Sequence, residues 1–176
     1  MKFSAAIAGS GLLAVLLTGC NHGQTTTQPG KVAVNTREAH ALPDSALKAQ
    51  ITLIEPPTKL RVGQKETIRL NVKNASTEQW YSHGGEVNSN PDNRFYLAAG
   101  DRWMKADGTT LVTNMDGRRG LQKDLKPGQD EEVPLQITAP KEPGDYVLEV
   151  DLVQEQVTWF SAKGSQPAKT KVTVIR

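Results

Sequence analysis

The sequence predicts an all-β fold over residues 50–176, an antiparallel β-sandwich of seven or eight strands. Polar and apolar residues alternate along stretches 67–73, 132–138, 146–153 and 171–175, as in strands with one buried face. Turn-forming residues separate these stretches, at 62–64, 106–108, 126–128 and 142–144. No stretch after residue 50 has apolar residues at helical spacing. Short strands joined by turns indicate two sheets packed face to face.

The stretch 146–153 shows the clearest division between two faces. Its predicted core face carries Tyr146, Leu148, Val150 and Leu152. Glu149 and Asp151 fall on the opposite face, which we expect to be exposed to solvent. Pro134 predicts that the stretch 132–138 lies at a sheet edge or a bulge. Weaker strands are predicted at 51–55, 94–98, 102–105 and 109–113.

The N-terminus has the pattern of a secretory signal. A basic start, Met1-Lys2-Phe3, precedes an apolar run over residues 5–17, which is too short to span a bilayer. The sequence Leu17-Thr18-Gly19-Cys20 follows directly and resembles the lipobox of bacterial lipoproteins. The resemblance implies cleavage of residues 1–19 and attachment of lipid to Cys20. Two or three acyl chains would then anchor the protein stably to a membrane.

Residues 20–49 are interpreted as the lipidated cysteine and a polar tether. The stretch 25–30 is polar and contains Pro29 and Gly30, and little apolar surface is present to offset the entropy of ordering it. Asn21 follows the cysteine. The lipoprotein resemblance favours sorting to the outer membrane for Asn at this position, on the periplasmic face or the cell surface. The inner membrane is the alternative.

Composition excludes several classes of protein. Lys and Arg total 21 against 19 Asp and Glu, so the charge of +2 gives no reason to expect nucleic acid as a partner. The single cysteine rules out an intramolecular disulfide scaffold.

A series of short motifs between residues 71 and 164 resembles the immunoglobulin-like modules associated with bacterial glycosyltransferases and methyltransferases of surface-polysaccharide assembly. The series includes Trp80, 102–108, 125–128, 143–146, 151–155 and Trp159-Phe160. The resemblance implies an immunoglobulin-like sandwich with a binding or accessory role and no reaction. Residues 82–93 and the polar pair Gly100-Asp101 depart from the family pattern. Tyr146 also stands where such sandwiches have a tyrosine corner, with a plain core tyrosine as the alternative.

Motifs for metal binding or catalysis are weak. His22, His40 and His83 have no partners at ligand spacing, so we expect no metal and no cofactor. Glu155 shares a strand face with Glu149 and Asp151, but acidic residues on an exposed face are ordinary. We therefore expect no catalytic residues and no enzyme activity.

The aromatic pairs Trp80-Tyr81 and Trp159-Phe160 are the stronger candidates. Adjacent side chains on an extended chain point to opposite faces, so one of each pair should be buried. We expect Phe160 to be buried and Trp159 to be partly exposed. The predicted binding surface comprises Trp80, Tyr81, Arg118 and Trp159.

The sequence thus predicts a lipid-anchored envelope protein with a non-enzymatic binding domain. A protein–protein or envelope-interaction module is the favoured class. A carbohydrate-recognition module for surface polysaccharide or peptidoglycan is the alternative, because exposed aromatic rings can stack on sugars.

Overall fold

The computed structural model describes residues 39–87 and 92–176. Within these residues the chain forms nine strands and two short 3-10 helices, Asp44–Ala46 and Ser161–Lys163. The strands are β1 (Ala49–Ile54), β2 (Lys59–Arg61), β3 (Lys65–Asn74), β4 (Leu97–Lys105), β5 (Leu111–Gly120), β6 (Asp130–Thr138), β7 (Gly144–Gln154), β8 (Thr158–Trp159) and β9 (Ala168–Ile175).

The strands form two sheets with the order of an immunoglobulin-like sandwich. One sheet has the order β1-β3-β6, and the other has the order β2-β9-β7-β4-β5, with β8 paired to β7. These sheets correspond to the ABE and GFCC′ sheets of immunoglobulin domains. All pairings are antiparallel except that of β2 with β9. The predicted fold class is confirmed.

The strand predictions differ from the structure in several places, and one of them is β5, which was predicted at 109–113 but extends to Gly120. The strands β2 and β8 have three and two residues, too short to show a period of two. The separate strands predicted at 94–98 and 102–105 are one strand, β4, which runs through Gly100 and Asp101. The polar pair therefore lies inside a strand, where Asp101 accepts the Gly117 amide from the neighbouring strand β5.

The core lies between the sheets and contains hallmarks of the fold. Tyr146, Leu148, Val150 and Leu152 are all buried in it, as predicted. The Tyr146 hydroxyl donates to the Glu142 carbonyl at 2.9 Å, which confirms the tyrosine corner. Trp103 on β4 is fully buried and meets the Tyr146 ring edge-on, with centroids 6.3 Å apart. Strand C of immunoglobulin domains carries a buried tryptophan at the corresponding place.

The opposite face of β7 is also buried, so the prediction of an exposed face is wrong. Glu149 is 5% exposed and Asp151 is 1% exposed. The strand lies between β9 and β4, and Arg102 of β4 and Lys169 of β9 both pair with Glu149 on this face. Pro134 is confirmed at an edge, because β6 is the last strand of its sheet.

The described part of the predicted tether packs on the sandwich, so that prediction is wrong for residues 42–47. Ala46 and Leu47 are buried, and Leu42 packs against the same core. The backbone is held as well: the Trp80 indole donates to the Ala46 carbonyl at 2.9 Å. We call residues 40–48 the N-terminal clasp. Its apolar residues are too few to show a pattern, and only the folded core gives them a surface to cover.

Glu131 near the start of β6 is a further buried carboxylate. It is 6% exposed and accepts the amides of Gln122 and Lys123, at 3.0 and 3.2 Å. Burial raises the pKa of Glu131, and the two hydrogen bonds partly oppose that rise.

No helix among the described residues is long and apolar enough to cross a membrane. The signal residues 1–19 and the proposed lipid site Cys20 lie outside the described residues.

Candidate functional site

The outer face of the larger sheet carries a cluster of charged side chains around one indole ring. We call it the outer-face cluster, and its members are Arg102, Arg118, Glu149, Asp151, Glu155 and Trp159. The pairing of β4 with β7 sets Arg102 opposite Glu149 and Gly100 opposite Asp151. The short β8 then sets Trp159 opposite Val153. Residues distant in sequence are thus brought to one surface.

Gly100 provides the space in which the cluster assembles. A Cβ atom at Gly100 would lie 1.8 Å from Arg118 Nη1 and 2.9 Å from Trp159 Cη2. Any larger residue would displace both side chains. The next residue, Asp101, is fully buried and accepts the Gly117 amide at 2.5 Å. The polar Gly100-Asp101 pair therefore has a structural role within β4.

Ion pairs connect the members of the cluster. Arg118 Nε lies 2.9 Å from Glu155 Oε1, and Arg102 pairs with Glu149 and with Asp151 Oδ2, the latter at 3.4 Å. Lys169 Nζ lies 2.8 Å from Glu149 Oε2. Together with Lys169 the cluster is therefore close to electrically neutral, and its charged groups form ion pairs with one another.

Burial affects the ionisation of the cluster. Desolvation lowers the pKa of Arg118, and the nearby Glu155 partly restores it. Desolvation also raises the pKa of Asp151 and of Glu155, while hydrogen bonds and arginine charges oppose both rises. Asp151 further accepts the Ser161 amide at 3.1 Å. Breaking one pair would leave a poorly solvated charge, which costs more than a surface pair contributes.

Trp159 is half-buried, and its ring is occupied by the cluster. The guanidinium carbons of Arg102 and Arg118 both lie over the ring, each 4.5 Å from its centroid. Phe160 is fully buried, so the predicted burial of Phe160 and partial exposure of Trp159 are confirmed. The ring of Trp159 is the centre of a cation–π assembly rather than a bare aromatic face.

The four predicted surface residues do not form one site. Arg118 and Trp159 meet in the outer-face cluster, but Trp80 is fully buried, so its prediction as a binding residue is wrong. Its ring meets Phe160 edge-on, with centroids 5.5 Å apart. Tyr81, the neighbour of Trp80, is half-buried at one end of the sandwich. Trp80 of one predicted aromatic pair and Phe160 of the other are thus in contact in the core.

Sequence reasoning missed the partners that complete the cluster. Arg102 was taken only as part of a weak strand, and Glu149 and Asp151 as solvent-exposed acids. Arg102 faces these acids across the β4–β7 pair, and that pairing cannot be deduced from local patterns. Among the described residues, no group of three or more His, Cys, Asp or Glu could hold a metal ion.

A small cavity lies at the end of the sandwich that the N-terminal clasp covers, called the clasp end. It is lined by Ala39, His40, Leu42, Tyr81, His83, Phe95, Leu97 and Gln154. The His83 and Tyr96 rings stack beside it, with centroids 4.3 Å apart. Its volume of about 20 Å³ admits no more than a water molecule.

A larger groove lies at the opposite end, beside the hairpin that joins β4 to β5. We call it the hairpin-end groove; it measures about 510 Å³ and is lined by Gly63, Lys105, Leu111, Val112, Thr113, Thr138, Ala139, Pro140, Lys141, Glu142 and Tyr146. Leu111 is 52% exposed and Val112 is 37% exposed. These two exposed apolar side chains lie at the rim of the groove.

The comparisons with known proteins identify no family. No protein-family model and no curated protein matches the chain. A β-glucosidase from Listeria innocua in complex with glucose is 13% identical with a TM-score of 0.45, and the match covers 73% of this chain but only 16% of the enzyme. The solution structure of the CARDB domain of a Pyrococcus furiosus protein is 14% identical with a TM-score of 0.40, covering 73% of this chain and 93% of that domain.

A third solved structure is an alkylpurine DNA glycosylase from Pseudomonas fluorescens, bound to DNA containing an abasic site analog. It is 9% identical with a TM-score of 0.41, and the match covers 73% of this chain and 31% of that chain. Likeness at this level says nothing about ligand or activity. By its own strand order, tyrosine corner and Trp103, the chain has an immunoglobulin-like β-sandwich.

Proposed function

We propose that this chain is a cell-envelope lipoprotein, cleaved before Cys20 and anchored by lipid on that cysteine, whose sandwich binds a protein partner without catalysing a reaction. The observation that carries the proposal is the sequence Leu17-Thr18-Gly19-Cys20 directly after an apolar run over residues 5–17. Asn21 favours the outer membrane as the destination.

The hairpin-end groove supports the binding role. Its exposed Leu111 and Val112 lie at the end of the sandwich away from the N-terminal clasp, since Lys105 and Gln154 mark opposite ends of the β4–β7 pair. The outer-face cluster offers less to a partner, because its arginines and carboxylates are paired with one another.

The carbohydrate alternative depended on bare aromatic faces. Trp80 is fully buried, and two guanidinium groups already lie over the Trp159 ring. A glycan array with the soluble sandwich checks this point. Specific binding to a polysaccharide or to peptidoglycan would favour the alternative over a protein partner.

Cys20→Ala tests the anchor. Cells that express the wild-type chain should incorporate labelled palmitate into it, and the protein should fractionate with the outer membrane. The variant should incorporate no label, because the acceptor thiol is missing. A variant that still carries label and sediments with membranes would contradict the proposal.

A photo-crosslinking residue at Leu111 tests the partner surface in cells. We expect a discrete crosslinked protein from this position. The matched control is Lys73, which is exposed on β3 away from the groove and should yield no such product. Equal products from both positions would show that the groove has no special role.

A further inference from the structure

The strand β5 ends the larger sheet, and its first residues form an open edge. In the order β2-β9-β7-β4-β5, only β4 is hydrogen-bonded to β5 among the described residues. The Lys105 amide donates to the Thr110 carbonyl at 2.8 Å, so the Thr110 carbonyl faces β4. Backbone groups of an antiparallel strand alternate in direction from one residue to the next. The amide and carbonyl of Leu111 therefore point away from β4.

The strand β6 faces this edge across the hairpin-end groove. The Ala139 amide donates to the Gln64 carbonyl at 2.8 Å, so the backbone of the preceding residue, Thr138, points away from β3. Farther along both strands the gap is closed, because a Cβ atom at Gly117 of β5 would overlap the Gln136 carbonyl oxygen of β6. The groove of about 510 Å³ is thus the wide part of a gap between two sheet edges.

The sequence at the open edge of β5 permits pairing with another chain. Proteins protect sheet edges with charged side chains, prolines, bulges or very short strands. Residues 109–115 contain no charged residue and no proline, and β5 has 10 residues. The one protective feature is a shift of register at Val112, which follows Leu111 and leaves its direction unchanged. An extended segment can therefore reach the Leu111 backbone without meeting a charge.

The lining of the groove indicates which side chains a partner would bring. Ala139 and Tyr146 contribute apolar surface to it. Of its charged residues, Lys105 Nζ lies 4.0 Å from Glu142 Oε2. Lys141 is exposed and forms no ion pair within the described part of the chain. The groove thus fits apolar side chains, and its unbalanced positive charge is complementary to a carboxylate.

The shape of the gap favours a single extended segment over a second folded copy. A strand of a folded sandwich enters a contact together with its neighbours. In a second copy, β5 would be flanked by its own β4 and would lie against its own β6 at Gly117. An extended segment has no flanking strands, so it fits a gap that is closed at one end.

We infer that the hairpin-end groove binds an extended segment of a partner protein, which adds as a strand to the open edge of β5. The main chain of the segment exchanges hydrogen bonds with Leu111, its alternate apolar side chains enter the groove, and a carboxylate faces Lys141. In complexes of this kind main-chain bonds give affinity and side-chain positions give specificity. The inference rests on the proposed function, since it states the chemistry of the protein partner at the same groove.

Random peptides displayed on phage are the probe, selected against the full-length wild-type chain in detergent micelles. We expect enrichment of peptides that have apolar residues at alternate positions and an acidic residue. A synthetic peptide of the most enriched sequence is then N-methylated at one position at a time. Only every second amide of an added strand faces β5, so methylation should weaken binding at every second position and have little effect between them.

Two substitutions at one position separate main-chain pairing from side-chain contact. Leu111→Pro removes the amide that points away from β4, whereas Leu111→Ala keeps this amide and shortens the side chain. The dissociation constant of the synthetic peptide should rise roughly tenfold for Leu111→Pro and much less for Leu111→Ala. Circular dichroism checks that both variants are folded. The methylation series uses the wild-type chain, so it tests the pairing even if Leu111→Pro does not fold.

A charge reversal tests the carboxylate. Lys141→Glu should weaken binding of the synthetic peptide, because it places a negative charge beside the acidic residue. Lys73→Glu, at an exposed position on β3 away from the groove, is the matched control and should leave binding unchanged. Equal effects of the two reversals would overturn the assignment of Lys141.

The outcomes separate this inference from the proposed function. Strand addition is overturned if the selection yields no peptide, if methylation shows no period of two, or if Leu111→Pro and Leu111→Ala weaken binding equally. A wild-type dimer in sedimentation experiments that Leu111→Pro dissociates would make a second copy the occupant and also overturn it. A crosslinked partner protein from position 111 in cells would leave the proposed partner surface standing in the first three cases. No peptide and no crosslinked protein would overturn both.

Discussion

Replacing each member of the Trp159-Phe160 pair by alanine separates the core from the outer-face cluster. We predict that Phe160→Ala destabilises the sandwich more than Trp159→Ala. Phe160 is fully buried between the sheets and meets the Trp80 ring edge-on. Trp159 is half-buried on the outer face, where its main contacts are two arginines.

The magnitudes follow from these contacts. Truncating a buried phenylalanine costs about 3–5 kcal/mol, from lost transfer free energy and the cavity that remains. The Trp159 ring makes two cation–π contacts, each of about 0.5–1 kcal/mol at a site open to solvent. We therefore expect a loss of about 1–2 kcal/mol for Trp159→Ala, above the usual cost of about 0.5 kcal/mol at an exposed position.

Urea denaturation followed by far-ultraviolet circular dichroism measures both variants. This signal is preferable to fluorescence, because Trp159→Ala removes one of the three tryptophans. The reasoning would be refuted if Trp159→Ala unfolded the sandwich while Phe160→Ala had little effect. A cost for Trp159→Ala indistinguishable from zero would show that the cation–π contacts contribute nothing, and the ring would again be available to a ligand.

Three further predictions concern the clasp, the tyrosine corner and a buried acid. Leu47→Ala should lower the free energy of unfolding, measured by urea denaturation, by about 2–5 kcal/mol because Leu47 lies in the core. Lys48→Ala at the exposed neighbouring position is the control. Equal small effects of the two substitutions would show that the clasp does not stabilise the sandwich. Tyr146→Phe should cost about 0.5–1.5 kcal/mol, since it removes the hydrogen bond to the Glu142 carbonyl; an unchanged denaturation midpoint would contradict this. Burial raises the pKa of Glu131 in the folded state, so protonation of this carboxyl favours folding. The free energy of unfolding of the wild type, relative to that of Glu131→Gln, should therefore be greatest below the unfolded-state pKa. It should decline as the pH rises through the folded-state pKa. Denaturation of both proteins across that range measures it, and a difference that grows with pH would refute the assignment.

The all-β fold, the core face of β7, the edge position of β6 and the tyrosine corner could be predicted from the sequence. Each depends on local information: a period of two, a proline without an amide donor, or a tyrosine at a fixed place before a strand. The lipobox and the proposed lipid site Cys20 also come from the sequence alone. Local rules suffice for such features, because neighbouring residues determine them.

The outer-face cluster, the buried state of Trp80 and the N-terminal clasp were decided only by the tertiary structure. Glu149 and Asp151 have the sequence pattern of exposed acids, but in the folded chain Arg102 faces them across the sheet. Trp80 has the sequence pattern of a binding residue, but in the folded chain its ring contacts Phe160 and its indole N–H donates to the Ala46 carbonyl. In each case the partner is distant in sequence, and the pairing of strands sets the distance between them. Burial and ion pairing depend on that distance, so no local pattern in the sequence encodes them.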